Sequence, residues 1–250
     1  MSSVVTASSA VTSLLELQQQ IDQDKRQSLP PPEPLSPAPL KAFLLLRKEA
    51  PERYLGQFRQ LRGRLMRRRD AEQAAGRPMR SVLVTSPTPG DGKTFVSLNL
   101  ALMLAVAPGS RVLLADLHPR RPSFEDATGA SFPRGVRDVL RGLDWRRAAR
   151  QVPHMDLFLM GVTPPGAGEL DPLDYTALGA WLQRLGADFD WIVLDGPDCA
   201  AGPDAELISH LADATVLVVR PGAVRFDLLD SLLDNFDRAR LAGVVFNGRA

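Results

Sequence analysis

Between Ser86 and Thr94 the chain reads Ser-Pro-Thr-Pro-Gly-Asp-Gly-Lys-Thr. In this run small residues, one ammonium and one hydroxyl arrive in the order that phosphate binding requires. Pro89, Gly90, Asp91 and Gly92 form a loop that can turn backbone N–H groups inward. Lys93 supplies a cation for β- and γ-phosphate oxygens, and the Thr94 hydroxyl is placed to ligate Mg²⁺. A helix starting at Lys93, Thr94 and Phe95 adds the positive end of its dipole. ATP and Mg²⁺ are therefore the expected cofactors. The strict pattern G-x-x-x-x-G-K-[ST] is not met, because Pro87 stands where its first glycine would be. A Gly-rich turn that binds nothing is the alternative reading, set against the order strand, loop, helix that the flanking residues supply.

Two carboxylates and one amide join this loop once the surrounding elements are laid out. After Met79 short β-rich runs alternate with helical ones. Strands are expected near 81–86, 111–116, 156–160, 190–195, 214–219 and 242–247, and helices near 93–106, 135–142, 172–185, 203–211 and 226–239. Such alternation implies a mostly parallel sheet with helices on both faces, an α/β three-layer sandwich of the P-loop type. Runs such as Trp191-Ile192-Val193-Leu194 and Val216-Leu217-Val218-Val219 read as strands buried on both sides. Ligands of such sheets sit at the carboxyl ends of the strands. Asp116 and Asp195 end two of them, and both can hold Mg²⁺ directly or through water, making Thr94, Asp116 and Asp195 the expected metal set. Capping of the next helix is the plain alternative for each. Asn247, after the last strand, either meets the edge of a purine or closes a turn.

The 250 residues are 44% hydrophobic with a net charge of +1. That is enough apolar material for one α/β core, and the charge balance suggests no specific nucleic-acid partner. One cysteine, Cys199, excludes an internal disulfide framework, and no Cys/His cluster suggests a metal centre. The apolar stretch Leu98 to Ala107 is interrupted by Asn99 and is too short to span a bilayer. Residues 1–40 read as a disordered tail with a proline-rich linker from Leu29 to Leu40, although Val11, Leu14, Leu15 and Ile21 could form a short helix on a partner. Residues 41–78 read as a helical segment with a basic face of Arg59, Arg62, Arg64, Arg67, Arg68 and Arg69, either solvated or facing an acidic partner, lipid or subunit. The domain proper is expected over 79–250. No signal peptide is apparent, so the expected location is the cytoplasm.

The loop 86–94, the stretch Val112-Leu-Leu-Ala-Asp116-Leu-His-Pro-Arg-Arg-Pro-Ser123 and Phe189-Asp-Trp-Ile-Val-Leu-Asp195-Gly-Pro resemble the bacterial tyrosine kinases of capsule and exopolysaccharide synthesis, within the deviant Walker A P-loop ATPases. The resemblance implies that Lys93 and Thr94 are the Walker A phosphate and Mg²⁺ residues. It likewise implies that Asp116 opens the second Walker motif, that Arg120 closes it, and that Asp195 is the Walker B aspartate. Lys93, Asp116, His118 and Asp195 then form the catalytic set. The family's second motif reads Asp-x-Asp-x-Arg, whereas this chain reads Asp116-Leu-His118-Pro-Arg120. An imidazole there is a poor ligand for Mg²⁺, although it can accept a proton near neutral pH. Tyr54 and Tyr175 are the only tyrosines, so the family's autophosphorylated tyrosine tail is not expected. Gly56 replaces the glutamate of the family's Glu-x-x-Arg-x-x-Arg subunit contact, ahead of Arg59 and Arg62, which leaves a homo-oligomeric ring in question. By resemblance the partner is a membrane-anchored polysaccharide co-polymerase of the chain-length-determinant type, which recruits the protein to the inner face of the plasma membrane. The expected function is an ATP-binding regulator of polysaccharide polymerisation and export with reduced or absent phosphotransfer. An active tyrosine kinase acting on a partner and a positioning ATPase are the alternatives. The extra loop lysine of the positioning ATPases is missing at Thr88.

Overall fold

The computed structural model describes residues 31–35, 52–119, 123–163, 173–224 and 226–248. Eight strands build one sheet: β1 (Glu33–Pro34), β2 (Ser81–Ser86), β3 (Val112–Asp116), β4 (Arg150–Gln151), β5 (Leu157–Met160), β6 (Trp191–Asp198), β7 (Ala214–Val219) and β8 (Leu241–Phe246). Their order is β1-β4-β5-β3-β6-β2-β7-β8. All pairs are parallel except β4 with β5. Seven helices accompany them among the described residues: α1 (Glu52–Ala74), α2 (Lys93–Ala105), α3 (Phe124–Thr128), α4 (Val136–Leu140), α5 (Tyr175–Leu185), α6 (Asp204–Leu211) and α7 (Phe226–Leu233).

Side chains alternate across a strand, and two cores result. Val82, Val84, Val112, Leu114, Val193, Val216 and Val218 face one way, against Leu98 and Leu102 of α2 and Phe58 and Leu65 of α1. Leu83, Leu113, Ala115, Ile192 and Leu194 face the other, against Val136 and Val139 of α4, Leu178 and Trp181 of α5 and Ile208 of α6. The expected three-layer sandwich is therefore the observed one. With helices on both faces, the central strands read as unbroken apolar runs.

Several boundaries differ from the sequence reading. β6 extends three residues beyond Asp195, to Asp198, and α7 stops at Leu233 rather than 239. The two-residue strands β1 and β4 and the short α3 carry too little periodicity to be read from sequence. Part of the proline-rich stretch expected as linker lies on the sheet. Pro34 pairs with Gln151, Leu35 is buried, and the Leu35 N–H donates to the Gln151 carbonyl at 2.7 Å. Proline is acceptable at this sheet edge because its missing N–H leaves no ladder bond unmade. Residues 1–30 and 36–51, which hold the expected tail helix and the start of the basic segment, lie outside the described residues.

α1 buries Phe58 and Leu65, two turns apart on one face, and Phe58 meets Phe95 of α2 edge-to-face at 6.3 Å. Its basic residues divide. Arg59, Arg64 and Arg67 are exposed, whereas Arg68 donates to the carbonyls of Ala239 and Leu241 and Arg69 lies over the Trp191 ring at 4.8 Å. Two of these six arginines thus tie the helix to its own sheet. Among the described residues no helix is long and apolar enough to cross a membrane.

Candidate functional site

β2, β3 and β6 end side by side, and the site is assembled at those ends. β2 passes into the loop 87–92, whose glycines Gly90 and Gly92 have φ of 82° and 96°. Asp91 inside the loop is fully buried. Its carboxylate accepts from the Thr88 N–H at 3.1 Å and the Thr88 hydroxyl at 2.9 Å, which fixes the turn from within. From the far edge of the sheet Asn247 donates its amide to the Asp91 carbonyl at 2.8 Å. A side chain at Gly92 would collide with that amide. Asn247 is thereby held against the loop.

α2 then presents three polar side chains inward. Lys93 is 8% exposed and donates to the Ser86 hydroxyl at 3.1 Å. The Thr94 hydroxyl donates to Asp195 Oδ2 at 2.7 Å, and Ser97 donates to Asp195 Oδ1 at 2.9 Å. Asp116 and Asp195 are register partners on β3 and β6. Ser123 bridges them: its N–H donates to Asp116 Oδ2 at 3.0 Å, and its hydroxyl lies 3.3 Å from Asp195 Oδ2 and 3.0 Å from Thr94 Oγ1. The His118 backbone N–H caps Asp116 Oδ1 at 2.9 Å.

Two carboxylates buried side by side carry an electrostatic cost. Burial first and the Asp195 charge second push Asp116 up to about 7, despite three backbone N–H groups that favour its ionised form. Burial also raises Asp195, against the opposing pull of the Thr94 and Ser97 hydroxyls and the Lys93 charge. Among the described residues no group of three or more His, Cys, Asp or Glu side chains could hold a metal alone. Two carboxylates with the Thr94 and Ser123 hydroxyls suit Mg²⁺, a hard cation that uses one or two protein carboxylates and takes its other oxygens from water and phosphate. Such a cation would also offset the charge that burial makes costly.

The remaining expected residues fall as follows. Pro89 and Gly90 are exposed at the loop tip, and Phe95 is half-buried. Phe95 lines a cleft of about 790 Å³ with Arg53, Phe58, Val96, Val245 and Asn247, between α1, α2 and β8. Arg120 lies outside the described residues. Sequence reasoning missed Ser86, Ser97, Ser123 and Asp198. Ser97 was accessible to it, being three residues after Thr94 and so on the same helical face. Ser123 reaches the site from just before α3 and Asp198 through a strand irregularity, neither of which periodicity records. Cys199, beside Asp198, is pushed up to about 11 by burial, with the Asp198 charge adding to the effect. It therefore sits as a thiol near neutral pH.

A family model described as "Cellulose biosynthesis protein BcsQ" matches residues 79–236. The tyrosine-protein kinase YwqD of Bacillus subtilis is 29% identical over 182 residues, which cover 69% of this chain and 74% of YwqD. A putative tyrosine-protein kinase, EpsB of Ralstonia solanacearum, is 31% identical over 216 residues, covering 82% of this chain and 27% of EpsB. The chain thus spans about a quarter of that longer relative. Among solved structures, the BceF tyrosine kinase domain superposes with a TM-score of 0.65 at 27% identity, over 91% of this chain and 97% of that domain. With residues 79–236 inside the BcsQ family model and relatives named as tyrosine-protein kinases matching 69% and 82% of its length, the chain belongs to the bacterial tyrosine kinase family within the P-loop ATPases.

Proposed function

We propose that this protein is an ATP-binding regulator of capsule or exopolysaccharide polymerisation and export, kinase-like in its site and reduced or silent in phosphotransfer to tyrosine. The observation that carries the reading is the cluster at the strand ends: Lys93 beneath the loop, with Thr94, Ser123, Asp116 and Asp195 joined by hydrogen bonds. Lys93 and the loop N–H groups hold the β- and γ-phosphates. Thr94, Asp116 and Asp195 hold Mg²⁺, with Ser123 aligning both carboxylates. Mg²⁺ when bound neutralises charge on the phosphate oxygens. The cleft beside Phe95 and Asn247 takes the purine.

His118 supports the second half of the proposal. Asp116 and Asp195 are the carboxylates of the cluster, and His118 meets it through the backbone N–H that caps Asp116. An imidazole brings no negative charge to a hard cation, and losing one general acid or base typically costs about 10²- to 10⁴-fold in rate. Occupancy then becomes the signal. Phosphate binds in the loop at the start of α2, and α1, packed on α2 through Phe58 and Phe95, passes the change to a membrane-anchored co-polymerase that holds the protein at the inner face of the membrane.

The test is equilibrium binding of MgATP together with its turnover to phosphate and to phosphotyrosine on a tyrosine-bearing substrate, for wild type, Lys93→Ala and His118→Asp. The expected outcome is binding without phosphotyrosine for the wild type, loss of binding for Lys93→Ala and a gain of transfer for His118→Asp. Wild-type phosphotyrosine formation at a rate His118→Asp does not exceed would make the protein a working kinase.

A further inference from the structure

Lys93 has a second partner that the nucleotide site does not use. Its ammonium lies 3.5 Å from Asp198 Oδ2, and the two side chains are only 9% and 6% exposed. This pair exists because of an irregularity in β6. Val84 pairs with Asp195 and Ser86 with Asp198, so β6 advances three residues while β2 advances two. An extra residue reverses the alternation of side chains, and Asp198 comes to the face that Asp195 already occupies. The bulge is held in place. The Thr85 hydroxyl donates to the Pro197 carbonyl at 2.6 Å, the Ala200 N–H donates to the Pro87 carbonyl at 3.2 Å, and a side chain at Gly196 would press on Leu83.

We propose that Asp198 is a positioning residue, a built-in counter-ion that holds Lys93 away from the phosphate loop and that the phosphates of a nucleotide must displace. The inference deepens the nucleotide-binding reading and rests on it. A lysine beneath the loop serves β- and γ-phosphate oxygens with the same ammonium that now faces Asp198 and Ser86. Occupancy therefore requires a buried ion pair to open, and it leaves the Asp198 carboxylate beside incoming negative charge. Both effects oppose binding and lower the affinity of the empty site. The same pair supports the fold, because a buried ammonium stripped of its partner is strongly unfavourable. Asp198 accordingly works in opposite directions on stability and on affinity, a combination that a merely structural carboxylate does not produce.

The experiment is a titration of the full chain with a fluorescent ATP analogue and Mg²⁺, paired with thermal unfolding of the nucleotide-free protein, for wild type, Asp198→Asn and Asp198→Ala. The expected result is a Kd lowered by about tenfold or more, alongside a lower Tm without nucleotide. In a Lys93→Met background Asp198→Asn should no longer lower the Tm. A Kd equal to or weaker than wild type in whichever Asp198 variant folds overturns the proposal while leaving nucleotide binding intact. No binding by wild type and variants alike overturns the nucleotide reading itself, and this inference with it.

Discussion

Asp195→Asn should make the metal-free protein more stable while removing its response to MgATP. Asp116 is lifted from 3.8 to about 7. At about 1.4 kcal/mol for each tenfold change in proton affinity, that amounts to roughly 4 kcal/mol of cost for ionising it in place. Burial is the larger part and Asp195 the next, so removing the neighbouring charge should return on the order of 1 kcal/mol. The hydroxyls of Thr94, Ser97 and Ser123 now converge on Asp195, and hydroxyls can turn to serve an amide, so little hydrogen bonding is forfeited. For a chain of this size the gain is a Tm higher by about 2–4 °C at pH 8 in chelator. The sign with pH follows from a carboxylate raised in the folded state. Stability is fully present below about 3.8 and is lost as pH rises through about 7, so the variant's advantage should vanish at pH 5, where wild-type Asp116 is already protonated. With MgATP at about a hundred times its Kd the order reverses, because the wild type gains about 2.7 kcal/mol by mass action and the variant gains little. Thermal unfolding under the four combinations of pH and ligand is the assay. A variant less stable than wild type at pH 8 without metal would refute the electrostatic account of the pair.

Two further outcomes test other parts of the architecture. Gly92→Ala places a side chain at φ 96° and into the Asn247 amide; it should cost about 1–3 kcal/mol in urea unfolding and weaken MgATP binding, whereas an unchanged affinity would separate Asn247 from the loop. Leu65→Ala empties a position 1% exposed between α1 and the sheet; a loss of about 2–5 kcal/mol in denaturant is expected, and an unchanged midpoint would show that α1 is not part of the cooperative unit.

Read along the chain alone, the residues from Ser81 onward determined the class of fold and most of the site. Lys93 and Thr94 follow a strand in a glycine-bearing turn, and Asp116 and Asp195 follow runs too apolar to be anything but buried strands. These signals are local, so periodicity and residue type are enough to read them. Only the tertiary structure decided what depends on residues far apart in sequence meeting. Ser123, the residue just before α3, joins Asp116, Asp195 and Thr94 through contacts between residues far apart in sequence. Asn247 reaches the phosphate loop because β8 lies beside β7, which pairs with β2. Arg68 and Arg69, indistinguishable in sequence from their exposed neighbours, anchor α1 because the helix rotates them onto the sheet. Asp198 faces Lys93 only because one extra residue in β6 shifts the register against β2. Such a slip is the sum of many cross-strand contacts, and nothing in the run Asp195-Gly-Pro-Asp198 announces it.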